Sequence, residues 1–145
     1  MNRQSGKITA LYCRIAHYDN DFDLLTARNQ QEILLNYAIE HGLENPCFYC
    51  DWGFSGATFD RPELQSMLRE VEAGNVANLV VTNCSKLGRN CLDCVKLIEH
   101  TLPKYGVTFH SVQDGMTTPE QLSKTAQIHK ALLPLGHKRR RGGRA

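Results

Sequence analysis

The sequence predicts a three-layer α/β/α fold around a mostly parallel sheet of four to five strands. Three observations predict it. Short runs rich in β-prone apolar residues alternate with longer runs of helical apolar spacing, the connections between them are brief, and the run Val76 to Thr82 is apolar nearly throughout. Alternation with short connections favours parallel strands joined by helical crossovers. A strand without polar alternation is one covered on both faces.

The elements follow in chain order. Lys7 to Ile15 is predicted as a first, buried strand. Residues 17–23 contain Asp and Asn and read as a loop. From Leu24 to His41 the apolar positions Leu24, Leu25, Ala27, Ile33, Leu34, Tyr37, Ala38 and Ile39 suit a helix, which Gly42 ends. Cys47 to Asp51 is a short strand, and Trp52 to Thr58 a loop with two glycines. A second helix opens at Arg61-Pro62 with Asp60 as its cap, carries Leu64, Met67, Leu68 and Val71 at helical spacing, and closes at Gly74. Val76 to Thr82 forms the third strand, Ser85 to Asn90 a polar loop, Cys91 to Leu102 a third helix with Pro103 near its end, and Val107 to Val112 the fourth strand. These elements make up one domain over residues 1–117. A short helix from Thr118 to about Leu133, broken by Pro134 and Gly136, is expected within 118–136, and residues 137–145 are expected to be a disordered tail.

Composition narrows the function classes. The chain has 145 residues, enough for one hydrophobic core. No stretch approaches the roughly 20 apolar residues that span a bilayer. Met1 to Lys7 is polar and has no apolar signal region, so the expected location is the cytoplasm, with no membrane partner. Gly53 and Gly56 are spaced G-x-x-G, and neither a dinucleotide fingerprint nor a Walker A motif occurs. The net charge is +2, but Lys138, Arg139, Arg140, Arg141 and Arg144 all fall in the last eight residues, so residues 1–137 carry −3. Such a tail either pairs with phosphates or is a solvated end.

Six cysteines include two Cys-x-x-Cys pairs, Cys47/Cys50 and Cys91/Cys94, with 40 residues between them. Zinc sites built from two such pairs usually leave about 15–20. Cys47 and Cys50 also fall in a strand, where i and i+3 point to opposite faces. Cys91 and Cys94 stand near a helix start, which lowers thiol pKa, so a redox or metal pair there is an alternative reading. The favoured reading is reduced thiols acting as small hydrophobes, with no metal and no cofactor.

Sites in such sheets form at the C-terminal strand ends. That edge holds the loops beginning near Arg14, Asp51, Asn83 and Val112. Arg14, Arg61, Lys86 and Arg89 gather there, with Gln30 and Ser55 beside them. Convergent guanidinium groups match phosphate by forked hydrogen bonds and stabilise charge that develops in phosphoryl transfer. Taken singly, each cation is better explained by a surface salt bridge, whereas four together in loops on one edge favour phosphate binding.

The same residues lie in an ordered series of motifs. Tyr12-Cys-Arg14-Ile-Ala16 resembles the Tyr-x-Arg-x-Ser of serine recombinases, the resolvase/invertase family. Asn29-Gln30 is similar to the Asn-Gln of the larger, transposon-type members. Asp51-Trp-Gly-Phe-Ser55-Gly-Ala-Thr-Phe-Asp-Arg61-Pro62 resembles their Asp-x-Gly-Tyr-Ser-Gly-Thr-Asn-Phe-Asp-Arg-Pro. Ser85-Lys86-Leu87-Gly88-Arg89-Asn90 resembles Ser-Arg-Leu-Gly-Arg-Asn, and the likeness runs from about Ile8 to Thr117.

The resemblance implies a resolvase-like catalytic domain, in which a serine hydroxyl attacks a DNA phosphodiester, arginines hold the phosphate, and a tetramer cuts and rejoins strands without a cofactor. Carried over by position, Arg14, Arg61, Lys86 and Arg89 contact phosphate, and Gln30 and Ser55 support it. The departures are Ala16 at the nucleophile position, Asn83 where the transposon-type relatives have aspartate, and Lys86 in place of an arginine, which keeps charge but loses the fork. His17 and Tyr18 are shifted along the chain from the nucleophile position. The function expected is a site-specific recombinase domain impaired at Ala16. The alternatives are a non-catalytic DNA-binding or recombinase-regulating module, or a thiol-redox or metal protein using Cys91/Cys94. The expected partners are the DNA backbone, through Arg14, Arg61, Lys86, Arg89 and the tail residues Lys138, Arg139, Arg140 and Arg141, and a homo-oligomer or a hetero-oligomer with an active recombinase. Beyond Thr118 the family continues into a long helix and DNA-binding domains, so specific DNA recognition is expected to be largely missing here.

Overall fold

The strands β1 (Ile8–Ile15), β2 (Pro46–Trp52), β3 (Val76–Val81), β4 (Thr108–Ser111) and β5 (Met116–Thr117) make one sheet in the order β2-β1-β3-β4-β5. The first four run parallel, and β5 returns antiparallel along β4. The structure is a computed structural model that describes residues 6–89 and 91–118. The helix expected up to Leu133 and the basic tail, with Lys138, Arg139, Arg140 and Arg141, lie outside those residues.

Helices cover both faces. On one, α1 (Asp21–Glu40) sets Leu34 and Ala38 against Leu11, Cys13 and Val80. On the other, α2 (Pro62–Glu72) supplies Leu64, Met67 and Val71 to a core with Ala10, Tyr12, Leu79, Val81 and Phe109. The same core takes Leu97, Ile98 and Leu102 from a helical stretch made of α3 (Cys91–Lys96), a π turn over Leu97–Thr101 and α4 (Leu102–Lys104). The predicted three layers and mostly parallel sheet are therefore present. Strands β1 and β3 are buried on both faces, which is why they carry little polar alternation. No helix among the described residues is long and apolar enough to cross a membrane.

Several boundaries differ from the sequence expectation, each for a local reason. Helix α1 starts at Asp21 rather than Leu24, because the Asn20 side chain accepts from the Asp23 N–H at 2.9 Å and Asp21 and Asp23 complement the helix dipole. Of the residues that read as loop, 17–19 are non-helical, Asn20 is the cap and Asp21 to Asp23 are the first turn. Of the apolar positions assigned to this helix, Leu24, Leu25 and Ile39 are exposed, and its buried line is Ala27, Gln30, Leu34 and Ala38. Asp60 does not cap α2. Its N-cap is Arg61, and the N–H groups of Glu63 and Leu64 are taken, at 3.0 Å each, by the two carboxylate oxygens of Asp51 at the end of β2. Strand β5 has two residues, too few to show a period in the sequence.

One buried polar chain crosses the α1 face. His110 on β4 lies between Asn78 (Nε2 to Oδ1, 2.9 Å) and the Tyr37 hydroxyl (Nδ1 to Oη, 3.0 Å). Burial, with His41 nearby, pushes its pKa down from 6.5 to about 4. A folded-state pKa below the unfolded one gives stability that is complete above the unfolded value and drains away as pH falls through the folded one. We expect about 3 kcal/mol to be lost between about pH 6.5 and pH 4. Urea midpoints measured across that window should fall in the wild type, and the slope should flatten in His110→Gln. An unchanged slope in the variant would assign the acid sensitivity elsewhere.

Candidate functional site

The C-terminal ends of β1 and β2 are in register, Arg14 opposite Asp51 and Ile15 opposite Trp52. The glycine loop after β2 folds back onto β1. The N–H groups of Gly53 and Phe54 both donate to the Ile15 carbonyl, at 2.8 and 3.2 Å. Gly53 has φ +84, a left-handed conformation that favours glycine at this turn. After β3 the chain makes a tight turn over Cys84–Lys86, closed by Lys86 N–H to Asn83 O and Leu87 N–H to Cys84 O.

Arginine side chains join these three segments. Arg14, 8% exposed, donates from Nε to Lys86 O at 3.1 Å, from Nη1 to Phe54 O at 3.2 Å and from Nη2 to Ser85 O at 3.0 Å. Arg61, 1% exposed, donates from Nε to Thr58 O at 2.9 Å, from Nη1 to the Tyr12 hydroxyl at 2.8 Å and to Lys86 O at 3.1 Å, and from Nη2 to Leu87 O. Both guanidinium groups thus meet at the Lys86 carbonyl. Among the described residues neither has a direct carboxylate partner. Their charge is satisfied by carbonyl dipoles and, one step removed, by Asp51, to which the Tyr12 hydroxyl donates at 2.8 Å.

Each candidate residue now has a place. Gln30 is buried and clamps the main chain of Arg14, accepting from its N–H at 2.8 Å and donating to its carbonyl at 3.2 Å. Ser55 is exposed, and its Oγ accepts from the Ala57 N–H at 3.1 Å, bracing its own loop. Lys86 is half-buried, with its amine pKa held down by burial and then by Arg14. Arg89 has an exposed side chain, and its main-chain N–H donates to Gly56 O at 2.8 Å. The Arg14 pKa is lowered by burial first and then by Arg61, with Arg89 also contributing, which puts all four cations within electrostatic reach at one edge. Asn83 faces elsewhere, donating to Gln113 Oε1 at 3.2 Å and accepting from the Ser85 hydroxyl. Ala16 is exposed, two residues past Arg14, and Tyr18 is stacked on Trp52 at 5.8 Å.

Four residues belong to this site that the sequence reading did not single out. Tyr12 and Asp51 tie Arg61 to the α2 cap, and both stand in the quoted motifs. Tyr12 is two residues before Arg14 in a strand, hence on the same face, which is the signal that was available. Gly56 and Gly88 are the other two. A Cβ at Gly56 would lie 2.9 Å from Arg14 Nη2, and one at Gly88 3.0 Å from the Phe59 ring and 3.5 Å from Arg61 Nη2. We expect Gly56→Ala to push Arg14 off its carbonyls and to cost about 1–3 kcal/mol. Thermal denaturation, with the Arg14 Nε–H resonance as the local probe, checks both effects.

Cys47 and Cys50 do not assemble, and the side chain of Cys91 lies outside the described ones. Cys47 is exposed on one face of β2 and Cys50 faces α1 on the other. Cys94 is fully buried, with its thiol directed to Gly88 O at 3.5 Å. Among the described residues no group of three or more His, Cys, Asp or Glu is placed to hold a metal ion.

The family described as Resolvase, N terminal domain matches residues 9–133. The chain belongs to that family. This resolvase-family domain is 30% identical over 84 residues to an uncharacterised immunity region protein 3 of Bacillus phage phi105, a match covering 58% of this chain and 96% of that protein. Its fold is shared with the N-terminal catalytic domain of TP901-1 integrase, at 24% identity and TM-score 0.70, over 86% of this chain and 95% of that one. A resolvase family site-specific recombinase from Streptococcus pneumoniae superposes at 21% identity and TM-score 0.66, covering 86% and 87%. The C-terminal catalytic domain of an IS607-like serine recombinase, ISC1926 TnpA, gives 21% identity and TM-score 0.61, covering 81% and 74%. These solved structures bear on the fold of the resolvase-family chain.

Proposed function

We propose that this resolvase-family domain holds a DNA backbone phosphate at the Arg14 rim and does not break it through residue 16. The observation that carries the proposal is the unequal state of the two buried arginines. A guanidinium has five N–H donors. Among the described residues Arg61 commits four of them inside the fold, whereas Arg14 commits three and has two left over beside half-buried Lys86 and exposed Arg89. Arg14 is thus aimed before any ligand arrives, which lowers the ordering cost of binding an anion. Arg61 acts through the Lys86 and Leu87 carbonyls that it holds.

The residue that resemblance places at the nucleophile carries a methyl group. Ala16 has no oxygen with which to form a phosphoester, and Tyr18 is held against Trp52. The domain therefore contributes binding and charge stabilisation without the covalent step. Assembly with itself or with an active recombinase belongs to the same proposal and is read by light scattering with each partner.

The test uses supercoiled plasmid. At low salt the protein should retard the DNA, and denaturing gels should show neither nicks nor a protein–DNA adduct. Ala16→Ser should retard it equally and restore little cleavage, because Asn83 and Lys86 also depart from the family pattern. Efficient adduct formation by Ala16→Ser would place the whole impairment at residue 16. Cleavage by the wild type would overturn the proposal.

A further inference from the structure

The cysteines that the topology brings together among the described side chains are far apart in sequence. Cys13 on β1 and Cys50 on β2 are register partners in parallel strands, and both face α1. Neighbouring strands lie about 4.8 Å apart, inside the Cα separation of roughly 4.4–6.8 Å that a disulfide spans. Each thiol acts on the other, so that the pKa of Cys13, which burial also raises, goes up and that of Cys50 goes down. Gln31 Nε2 donates to Cys50 Sγ at 3.5 Å. Cys50 is half-buried and Cys13 fully buried. The pair thus consists of a more acidic, reachable sulfur and a shielded partner that keeps its proton, whereas Cys84 and Cys94 are sealed in the opposite core.

We propose that Cys13 and Cys50 form a peroxide-sensitive modification site that closes into a cross-strand disulfide. The Cys50 thiolate attacks one oxygen of a hydroperoxide, the O–O bond breaks, and Cys50 becomes a sulfenic acid as hydroxide leaves. The Cys13 sulfur then attacks the Cys50 sulfur and the sulfenic oxygen leaves as water, carrying the Cys13 proton. Two thiols lose two electrons and two protons in total, and hydrogen peroxide is reduced to two waters. The new bond ties β1 to β2 one residue before Arg14 and Asp51, the residues that build the rim. It does not depend on what the rim binds.

Limited hydrogen peroxide on the intact chain, followed by alkylation with N-ethylmaleimide, unfolding and peptide mapping, tests the proposal. The expected result is a dominant Cys13–Cys50 cross-linked peptide, loss of both thiols from alkylation, and recovery of both with dithiothreitol. Cys47→Ser, on the exposed face of β2, should leave the cross-link intact, and Cys50→Ser should abolish it. The proposal is overturned if both thiols still alkylate on unfolding after the exposed Cys47 has been oxidised. It is equally overturned if the dominant disulfide joins other cysteines, or if Cys50 proceeds to a sulfinic acid without linking to Cys13.

Discussion

Arg61→Ala is expected to destabilise the domain by about 3–5 kcal/mol, the range seen when one partner of a buried charged network is removed. Arg61 is 1% exposed and bridges Thr58, Tyr12, Lys86 and Leu87 across three segments far apart in the chain. Truncation leaves a cavity and deprives the buried Leu87 carbonyl of its donor, at about 1–3 kcal/mol before relaxation, and the part-buried Thr58 and Lys86 carbonyls of theirs. Arg61→Lys keeps the charge, but one ammonium cannot reach Thr58, Tyr12 and Leu87 together, so more than half of the loss should remain. Urea denaturation measures both. A cost under about 1 kcal/mol for the alanine variant would show that the turn after β3 is held by other means.

Asp51→Ala carries the second large effect, about 3 kcal/mol. Its carboxylate caps α2 through Glu63 and Leu64 and accepts from the Tyr12 hydroxyl. A lost helix cap costs about 1 kcal/mol, and a hydrogen bond to a charged group about 1.5–3. Removal also takes away a carboxylate whose charge favours the Arg14 guanidinium. Burial and the Asp51 hydrogen bond raise the Tyr12 pKa, so its hydroxyl stays a donor throughout the physiological range. Tyr12→Phe and Asp51→Ala share one bond, so their combined cost should fall below the sum of the single costs. Strict additivity in a double-mutant cycle would mean that the Tyr12–Asp51 contact contributes nothing.

Much of this was legible in the sequence. The unbroken apolar run at Val76 to Thr82 identified a buried parallel strand, and Pro62 and Gly74 bracketed α2. Arg14, Arg61, Lys86 and Arg89 were placed on one edge by the strand ends alone. What escaped depends on contacts between distant segments. Asp60 is the adjacent candidate for the α2 cap, yet Asp51 takes that role, and only the closeness of β2 to α2 makes this possible. Gln30 read as a group near phosphate, and it fixes the Arg14 main chain. Arg61 and Arg14 are indistinguishable as letters, but among the described residues one has four donors committed and the other three. The thiol pairs differed for the same reason, since Cys13 and Cys50 are 37 residues apart in sequence and opposite one another in the sheet.

The most direct measurement is the affinity for a short labelled DNA duplex, titrated at several salt concentrations with the wild type, Arg14→Ala, Arg89→Ala and a variant with Lys138, Arg139, Arg140 and Arg141 all changed to alanine. The rim account predicts affinity that falls with salt, and a salt slope shallower by about 1 on loss of Arg89. It also predicts weaker binding by Arg14→Ala at every salt concentration. Binding untouched by both rim variants and abolished by the tail variant would contradict it.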